Sequence, residues 1–215
     1  MASKHHEYDT NAVKAQIKQY LRLGFSPIPL KGKVANYHWK DFRLTEPQLG
    51  KYLKPGINWG LRTCKLTGGY WFYVVDLDNK ALITDVAEHC PAVLDAPIVS
   101  TAKGFHIYLY STGEVKTRHF GGVDIIGNGY VVAPPSVHPE TGKNYAFVKP
   151  LRGLPPIVEP EAVILEEWER AGNYIASKPQ GKSIENSARQ TSERPVYLHD
   201  KIYKGVGEGD RHNTL

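Results

Sequence analysis

The sequence predicts an α+β domain built on a largely antiparallel sheet, and three observations carry that reading. An amphipathic helical pattern opens the chain at about residues 10–23. A run of short alternating segments, broken by glycines and prolines, fills residues 58–148. Helical patterns return at about 45–53, 81–89 and 160–171, in the mixed order of an α+β domain. The chain has 215 residues, 41% of them hydrophobic, which suffices for one good-sized domain with a tail.

The elements follow in order. In the first helix Val13, Ile17, Tyr20 and Leu21 recur at the i, i+4, i+7, i+8 spacing of one face. Asp9 or Thr10 can cap its start and Gly24 can end it. Residues 25–30 read as a short strand, and the basic loop Lys31-Gly32-Lys33 leads on to Trp39-Lys40. Thr45, Glu46 and Pro47 open a second helix that runs to about Leu53. Strands are expected at 58–63, 70–77, 97–100, 104–110, 122–126, 129–133 and 144–148, with the 81–89 helix among them. The last helix of the domain, at about 160–171, carries Val163, Ile164, Leu165 and Trp168. The folded domain is therefore expected over 1–173. Residues 174–195 are rich in Ser, Lys, Gln, Asn and Arg and read as a flexible polar linker. Residues 196–203 form a short ordered segment in this reading, and 209–215 look like a helix start capped by Asp210, at the head of a truncated downstream segment. There are no internal repeats.

Several classes are excluded by composition. There is no apolar run of about 18 residues, so no membrane span is expected. The N-terminal MASKHHEYDT has no apolar core and is not a secretory signal. Cys64 and Cys90 can neither make a disulfide framework nor fill a four-ligand zinc site, and a reducing cytoplasm is the expected home. The net charge of +5 and the pI of about 9.0 favour a polyanionic partner such as nucleic acid.

The most informative segment is Tyr70-Trp71-Phe72-Tyr73-Val74-Val75-Asp76-Leu77-Asp78. Side chains alternate along a strand, so Asp76 and Asp78 share one face while Val75 and Leu77 point to the other. Two carboxylates this close repel unless a cation lies between them, and an oxygen-only donor set suits Mg²⁺ or Mn²⁺. The same two acids could also simply mark a strand end entering the Asn79-Lys80 loop. Ser100-Thr101-Ala102-Lys103-Gly104 forms a turn into an alternating strand with Phe105, Ile107 and Leu109 on one face and His106, Tyr108 and Tyr110 on the other. Its hydroxyls, backbone N–H groups and ammonium suit phosphate oxygens, with His106 as a further donor; an ordinary hairpin turn with a surface histidine fits as well. Asp124 is the lone acid between Val123 and Ile125, and such a carboxylate needs a cation or a structural hydrogen-bond partner. Gly127-Asn128-Gly129 behind it is a hairpin signal.

Taken as an ordered set over about residues 12–150, these segments resemble the bifunctional primase-polymerase (prim-pol) family of the archaeo-eukaryotic primase superfamily. The set runs from Gly24-Phe25 and Pro29-Leu30 through Lys33 and Trp39 to Asn58-Trp59-Gly60-Leu61. It continues with Val75-Asp76-Leu77-Asp78, then the turn from Ser100 to His106, then Gly122-Val123-Asp124-Ile125. Gly129-Tyr130-Val131-Val132-Ala133-Pro134-Pro135-Ser136, with His138 and Gly142, completes it. The resemblance implies an archaeo-eukaryotic primase-like α+β core with an RRM-like sheet and flanking helices. It implies two divalent ions, Mg²⁺ or Mn²⁺, held by the catalytic acids Asp76, Asp78 and Asp124. His106 would contact the phosphates of an incoming NTP or dNTP, with Ser100, Thr101 and Lys103 nearby. The activity implied is nucleotidyl transfer to a primer 3′-hydroxyl on a single-stranded DNA template, with primer initiation as a further possibility, in replication of a plasmid, phage or other mobile element. The segment 207–215 resembles the opening of the helical region that follows the catalytic domain in related proteins, so a C-terminal helical or helicase region of the parent polypeptide is an expected partner. The sequence departs from many primases in having Gly104 where they carry a serine, and it has no Cys/His cluster for a zinc insertion.

Lys31, Lys33, Lys40, Arg62, Lys116 and Arg118 are candidates to follow DNA phosphates, and Trp39 to stack on a base or to lie in the core. A non-catalytic single-strand-binding module would not need the three acids. A nicking initiator would need two histidines flanking one apolar residue, which His106-Ile107-Tyr108 does not supply.

Overall fold

The computed structural model describes residues 9–166 and Trp168. Helix α1 (Thr10–Arg22) starts where expected because Asp9 Oδ1 accepts hydrogen bonds from the Asn11 and Ala12 N–H groups, at 2.9 and 3.0 Å. Its Val13, Ile17 and Tyr20 are buried, and the chain leaves it through Gly24 at φ +82°. Strands β1 (Pro27–Lys31), β2 (Ile57–Thr63), β3 (Trp71–Leu77), β4 (Ile98–Ser100) and β5 (Phe105–Ser111) follow. They are joined by β6 (Arg118–His119), β7 (Val123–Ile126), β8 (Gly129–Ala133) and β9 (Ala146–Lys149). Helix α2 (Leu82–His89) lies between β3 and β4.

The strands divide into two sheets, and every ladder between them is antiparallel. The smaller sheet has the order β1-β2-β8 and the larger β6-β7-β3-β5-β4-β9. The larger sheet is covered on both faces, which explains why β3 and β5 read as nearly continuous apolar runs. Phe72, Val74, Tyr108 and Tyr110 pack on one side with Tyr20, Ile28, Leu30, Trp59 and Leu61. Tyr73, Val75, Ile107 and Leu109 pack on the other with Ile83 and Val86 of α2 and with Val163 and Trp168. The result is an α+β core of the primase-like kind.

Three expectations need correction. Residues 46–51 form a 3-10 helix, shorter than the expected helix to Leu53, although Thr45 N donates to Gln48 Oε1 in the manner of a capping box. Gly127-Asn128-Gly129 does not close a hairpin, because β7 and β8 belong to different sheets. The hydrogen bonds that would have joined two strands go elsewhere. Gly127 N and Asn128 N donate to Thr117 Oγ1, Gly129 N donates to Thr63 Oγ1, and the Trp71 indole N–H donates to Gly127 O. A side chain at Gly127 would meet Val115 O at 2.2 Å, so the glycine serves close packing at the crossing. Strand β6 and a second 3-10 turn (Pro91–Asp95) were not foreseen. Of the helix expected at 160–171, residues 160–162 are a 3-10 turn, Val163, Ile164 and Leu165 are not helical, and Glu166 and Trp168 are; 167 and 169–171 lie outside the described residues. So do the expected linker at 174–195 and the segment 196–215.

Candidate functional site

The larger sheet sets four titratable side chains in one row. His119 of β6 is register partner to Asp124 of β7, Asp124 to Asp76 of β3, and Asp76 to His106 of β5. Directly opposed residues project to the same face, so the row continues the face that buries Phe72 and Val74. Asp78 follows the end of β3, where its N–H donates to Gly122 O at 2.8 Å. Gly121 and Gly122, at φ +72° and +120°, make the turn that allows this contact. The pairing of β3 with β7 thus sets Asp124 directly opposite Asp76.

The turn after β4 lies against the same strand end. A Cβ on Gly104 would fall 1.7 Å from Leu77 O and 2.7 Å from its carbonyl carbon, so only glycine lets the turn approach β3 this closely. Thr101 N donates to Gly104 O, and Thr101 Oγ1 accepts from the Lys103 and Gly104 N–H groups at 3.3 and 3.0 Å. Two of the N–H groups expected to face phosphate therefore hold the turn together, and the Lys103 ammonium and the Thr101 hydroxyl proton are what it offers outward. Ser100 lies on β4, opposite Phe105 and Ala146, and does not line the cavity described next.

A polar cavity of about 260 Å³ opens between the two sheets. Asp76, Asp78, Thr101, Lys103 and His106 line it from the larger sheet. Lys33, Tyr130, Val131 and Val132 close it from the smaller sheet, and His138 and Tyr145 from the segment behind β8. Lys33 is placed by Tyr130, whose hydroxyl donates to Lys33 O and accepts from Ala35 N. The Tyr145 ring stands between His106 and His138, with centroids 6.0 and 6.1 Å away. The sequence pattern includes Tyr130 and His138 but gives them no role, and nothing around Tyr145 or His119 singles those residues out.

Burial dominates the electrostatics of the row. The Asp76 carboxyl is pushed up to about 7 by burial, then by Asp78 and Asp124, against the pull of Lys103 and Lys33. Burial pulls His106 down to about 4, partly offset by the Val132 carbonyl and Asp78. Their 3.5 Å approach has the geometry of an ion pair, but both groups are driven toward neutrality, so the contact is not one between full charges. His106 Nδ1 is buried with no hydrogen-bond partner among the described residues. Asp124 Oδ2 lies 2.9 Å from His119 Nδ1, and Asp124 itself is outside the cavity lining. With Asp76 and Asp124 each beside a histidine, no three His, Cys, Asp or Glu side chains among the described residues are gathered as a metal-ligand set.

The remaining basic candidates are divided. Lys31, Lys40 and Lys116 are exposed. Arg118 pairs with Glu161 at 3.0 Å. Arg62 is 7% exposed and lies over the Trp39 ring at 5.9 Å, while Trp39 packs edge-on to Tyr130. Buried Arg62 and half-buried Trp39 together brace the wall behind Tyr130. No helix among the described residues is long and apolar enough to cross a membrane.

An acidic strand end beside two lysines and a buried histidine offers, in chemical terms, a seat for a polyphosphate. The chain belongs to the family of bifunctional DNA primase/polymerase N-terminal domains, whose model matches residues 17–161. That is a family of nucleotidyl transferases working on DNA and nucleotides, generally with divalent metals. Comparison with curated proteins finds no match, and comparison with solved structures finds none.

Proposed function

We propose that this chain is the catalytic domain of a DNA primase-polymerase, transferring a nucleotide from an NTP or dNTP to a primer 3′-hydroxyl opposite a single-stranded DNA template. The observation that carries the reading is the meeting of Asp76 and Asp78 with Lys33, Lys103 and His106 in one cavity, with Asp124 one strand away. Asp76 and Asp78 offer hard oxygen donors to the cavity and Asp124 stands opposite Asp76, and a bound cation would offset the upward push that burial and the two neighbouring acids exert on Asp76. Asp76, Asp78 and Asp124 would hold the divalent ions. When bound, such ions lower the pKa of an attacking hydroxyl and neutralise the triphosphate and the leaving pyrophosphate.

The chain's own residues do the rest. Lys33 and Lys103, on opposite walls, bring positive charge to both sides of a bound triphosphate. His106 is fixed by its strand pairing and donates a hydrogen bond from a rigid position, which lowers the ordering cost of binding. Tyr130 and Val131 give an apolar wall against which the nucleoside can lie.

The test is primer extension with labelled dNTPs or NTPs and Mn²⁺ or Mg²⁺. Extension by the wild type, abolished in Asp76→Ala, Asp78→Ala and Asp124→Ala with the fold retained, is expected. Template binding without extension by the wild type would leave the chain a non-catalytic single-strand-binding module.

A further inference from the structure

We infer that His119 is a positioning residue of the site, holding the Asp124 carboxylate by one oxygen so that the other is presented to a divalent cation. The inference rests on the proposed metal-dependent reading and adds a residue to it. His119 is not in the cavity and carries no motif; it enters through the sheet alone.

The first observation is register. His119 stands opposite Asp124, Asp124 opposite Asp76, and Asp76 opposite His106, so His119 is the outermost member of a row across four neighbouring strands. The second is distance: Nδ1 of His119 is 2.9 Å from Asp124 Oδ2, the shorter of the row's two histidine–carboxylate contacts. A carboxylate on an edge-proximal strand has several staggered positions open to it. A directed hydrogen bond to one oxygen selects among them and leaves the second oxygen as a free donor. Partners of this kind fix the orientation of metal-bound carboxylates and tune their affinity.

The third observation is how β6 is held. It is two residues long, too short to persist by its ladder alone, yet the contacts on either side fix it. Thr117 Oγ1 accepts from Gly127 N and Asn128 N, Arg118 pairs with Glu161, and Phe120 N donates to Val123 O. These bonds tie both flanks of His119 to β7 and to the chain behind it. The His119 side chain itself is 67% exposed, so it contributes little to the core, and its replacement leaves the packing intact.

The test reads Mn²⁺ binding directly, through the electron paramagnetic resonance signal of free Mn²⁺, in the wild type, Asp124→Ala, His119→Ala and His119→Asn. An Asn side-chain amide can stand in for the Nδ1–H donor, which alanine cannot. His119→Ala is expected to weaken Mn²⁺ binding by about 10- to 100-fold, the range seen when such an outer partner is lost. His119→Asn is expected to recover most of that loss, while the melting temperature of both variants without metal stays near that of the wild type. Half-saturation of primer extension by Mn²⁺ should shift in parallel, with the rate at saturating Mn²⁺ largely kept. If the wild type binds Mn²⁺ and Asp124→Ala does not, but His119→Ala binds as the wild type does, the role of His119 is overturned and the metal reading stands. Equal losses in His119→Ala and His119→Asn also overturn it, because the hydrogen bond is then not what matters. A wild type that binds no Mn²⁺ overturns the metal reading itself.

Discussion

Replacing Asp76 by asparagine is expected to stabilise the protein in the absence of metal, and only above a defined pH. The carboxyl moves from 3.8 to about 7 on folding. At about 1.4 kcal/mol per pH unit, a displacement of that size corresponds to about 4 kcal/mol as an upper bound. The side chain is 31% exposed, and solvent screening reduces the figure to about 2 kcal/mol. Because the folded pKa is the higher one, the folded state binds more protons than the unfolded state between these values. Stability is therefore full below about pH 3.8 and falls as pH rises through about 7. Asparagine is nearly the same shape and carries no charge, so it avoids that fall. Burial acts on His106 in the opposite sense, lowering stability as pH drops from 6.5 toward about 4, but it does so in both proteins and largely cancels in their difference.

Thermal unfolding in a chelator, followed by circular dichroism from pH 4 to pH 9, measures this. At pH 8 Asp76→Asn should melt about 4–8 °C above the wild type, at about 2–4 °C per kcal/mol for a domain of this size. The gap should close near pH 4. Saturating Mn²⁺ should then reverse the order, since a ligand at about 100 times its Kd adds about 2.7 kcal/mol to the wild type alone. A gap that does not vary with pH, or a variant less stable than the wild type at pH 8, would refute the argument that Asp76 is held against its own charge.

Three further outcomes can be checked. His106→Ala should raise the KM for nucleotide by about 10- to 150-fold, the equivalent of one lost hydrogen bond to a charged group at about 1.5–3 kcal/mol, with single-strand affinity nearly unchanged; steady-state extension and a fluorescence binding assay separate the two. Gly104→Ala should cost at least about 1–3 kcal/mol in denaturant unfolding and lose extension activity, because the added methyl falls on the Leu77 carbonyl; a variant as stable and as active as the wild type would mean the turn is not wedged against β3. Single-stranded DNA affinity should fall steeply with salt, and replacing exposed Lys40 with alanine should flatten the slope by about 0.7, while an affinity independent of salt would show that phosphates are not the main contacts.

Much of this was legible because strand alternation is a local rule. The burial of Val75, Leu77, Ile107 and Leu109 on one side and of Val74, Tyr108 and Tyr110 on the other follows from the sequence of β3 and β5 alone. The helix cap at Asp9 is local too. Strand pairing is not. Asn-Gly between two apolar runs signals a hairpin wherever both runs want the same sheet, and here Thr63 and Thr117, distant in sequence, claim the turn's N–H groups instead. His119 was invisible for the same reason. Its partner is five residues away, and only the register of β6 on β7 makes them neighbours. The fates of Arg62 and Trp39 were equally out of reach, since nothing local distinguishes a solvent-facing arginine from one laid over a buried wall.

Gly104 shows how a site can depend on a residue that contributes no group to it. In the sequence it reads as freedom, a place where the chain can turn or let a ligand approach. In the structure its role is contact. The missing Cβ admits the Leu77 carbonyl, and that contact sets the spacing between the end of β3 and the turn before β5. Asp76 and Asp78 belong to the first of these, and Thr101, Lys103 and His106 to the second. Pairing of β3 with β5 already fixes Asp76 against His106. It leaves Lys103 and Asp78 undetermined, because both lie beyond the ladder. What settles them is the packing of one turn on the other, with Gly104 between them, the Thr101 hydroxyl tying its own turn, and the Asp78 N–H bound to Gly122 O. A serine at this position would add a hydroxyl for phosphate but force the two turns apart. The chain instead keeps Asp76, Asp78 and Lys103 on one cavity.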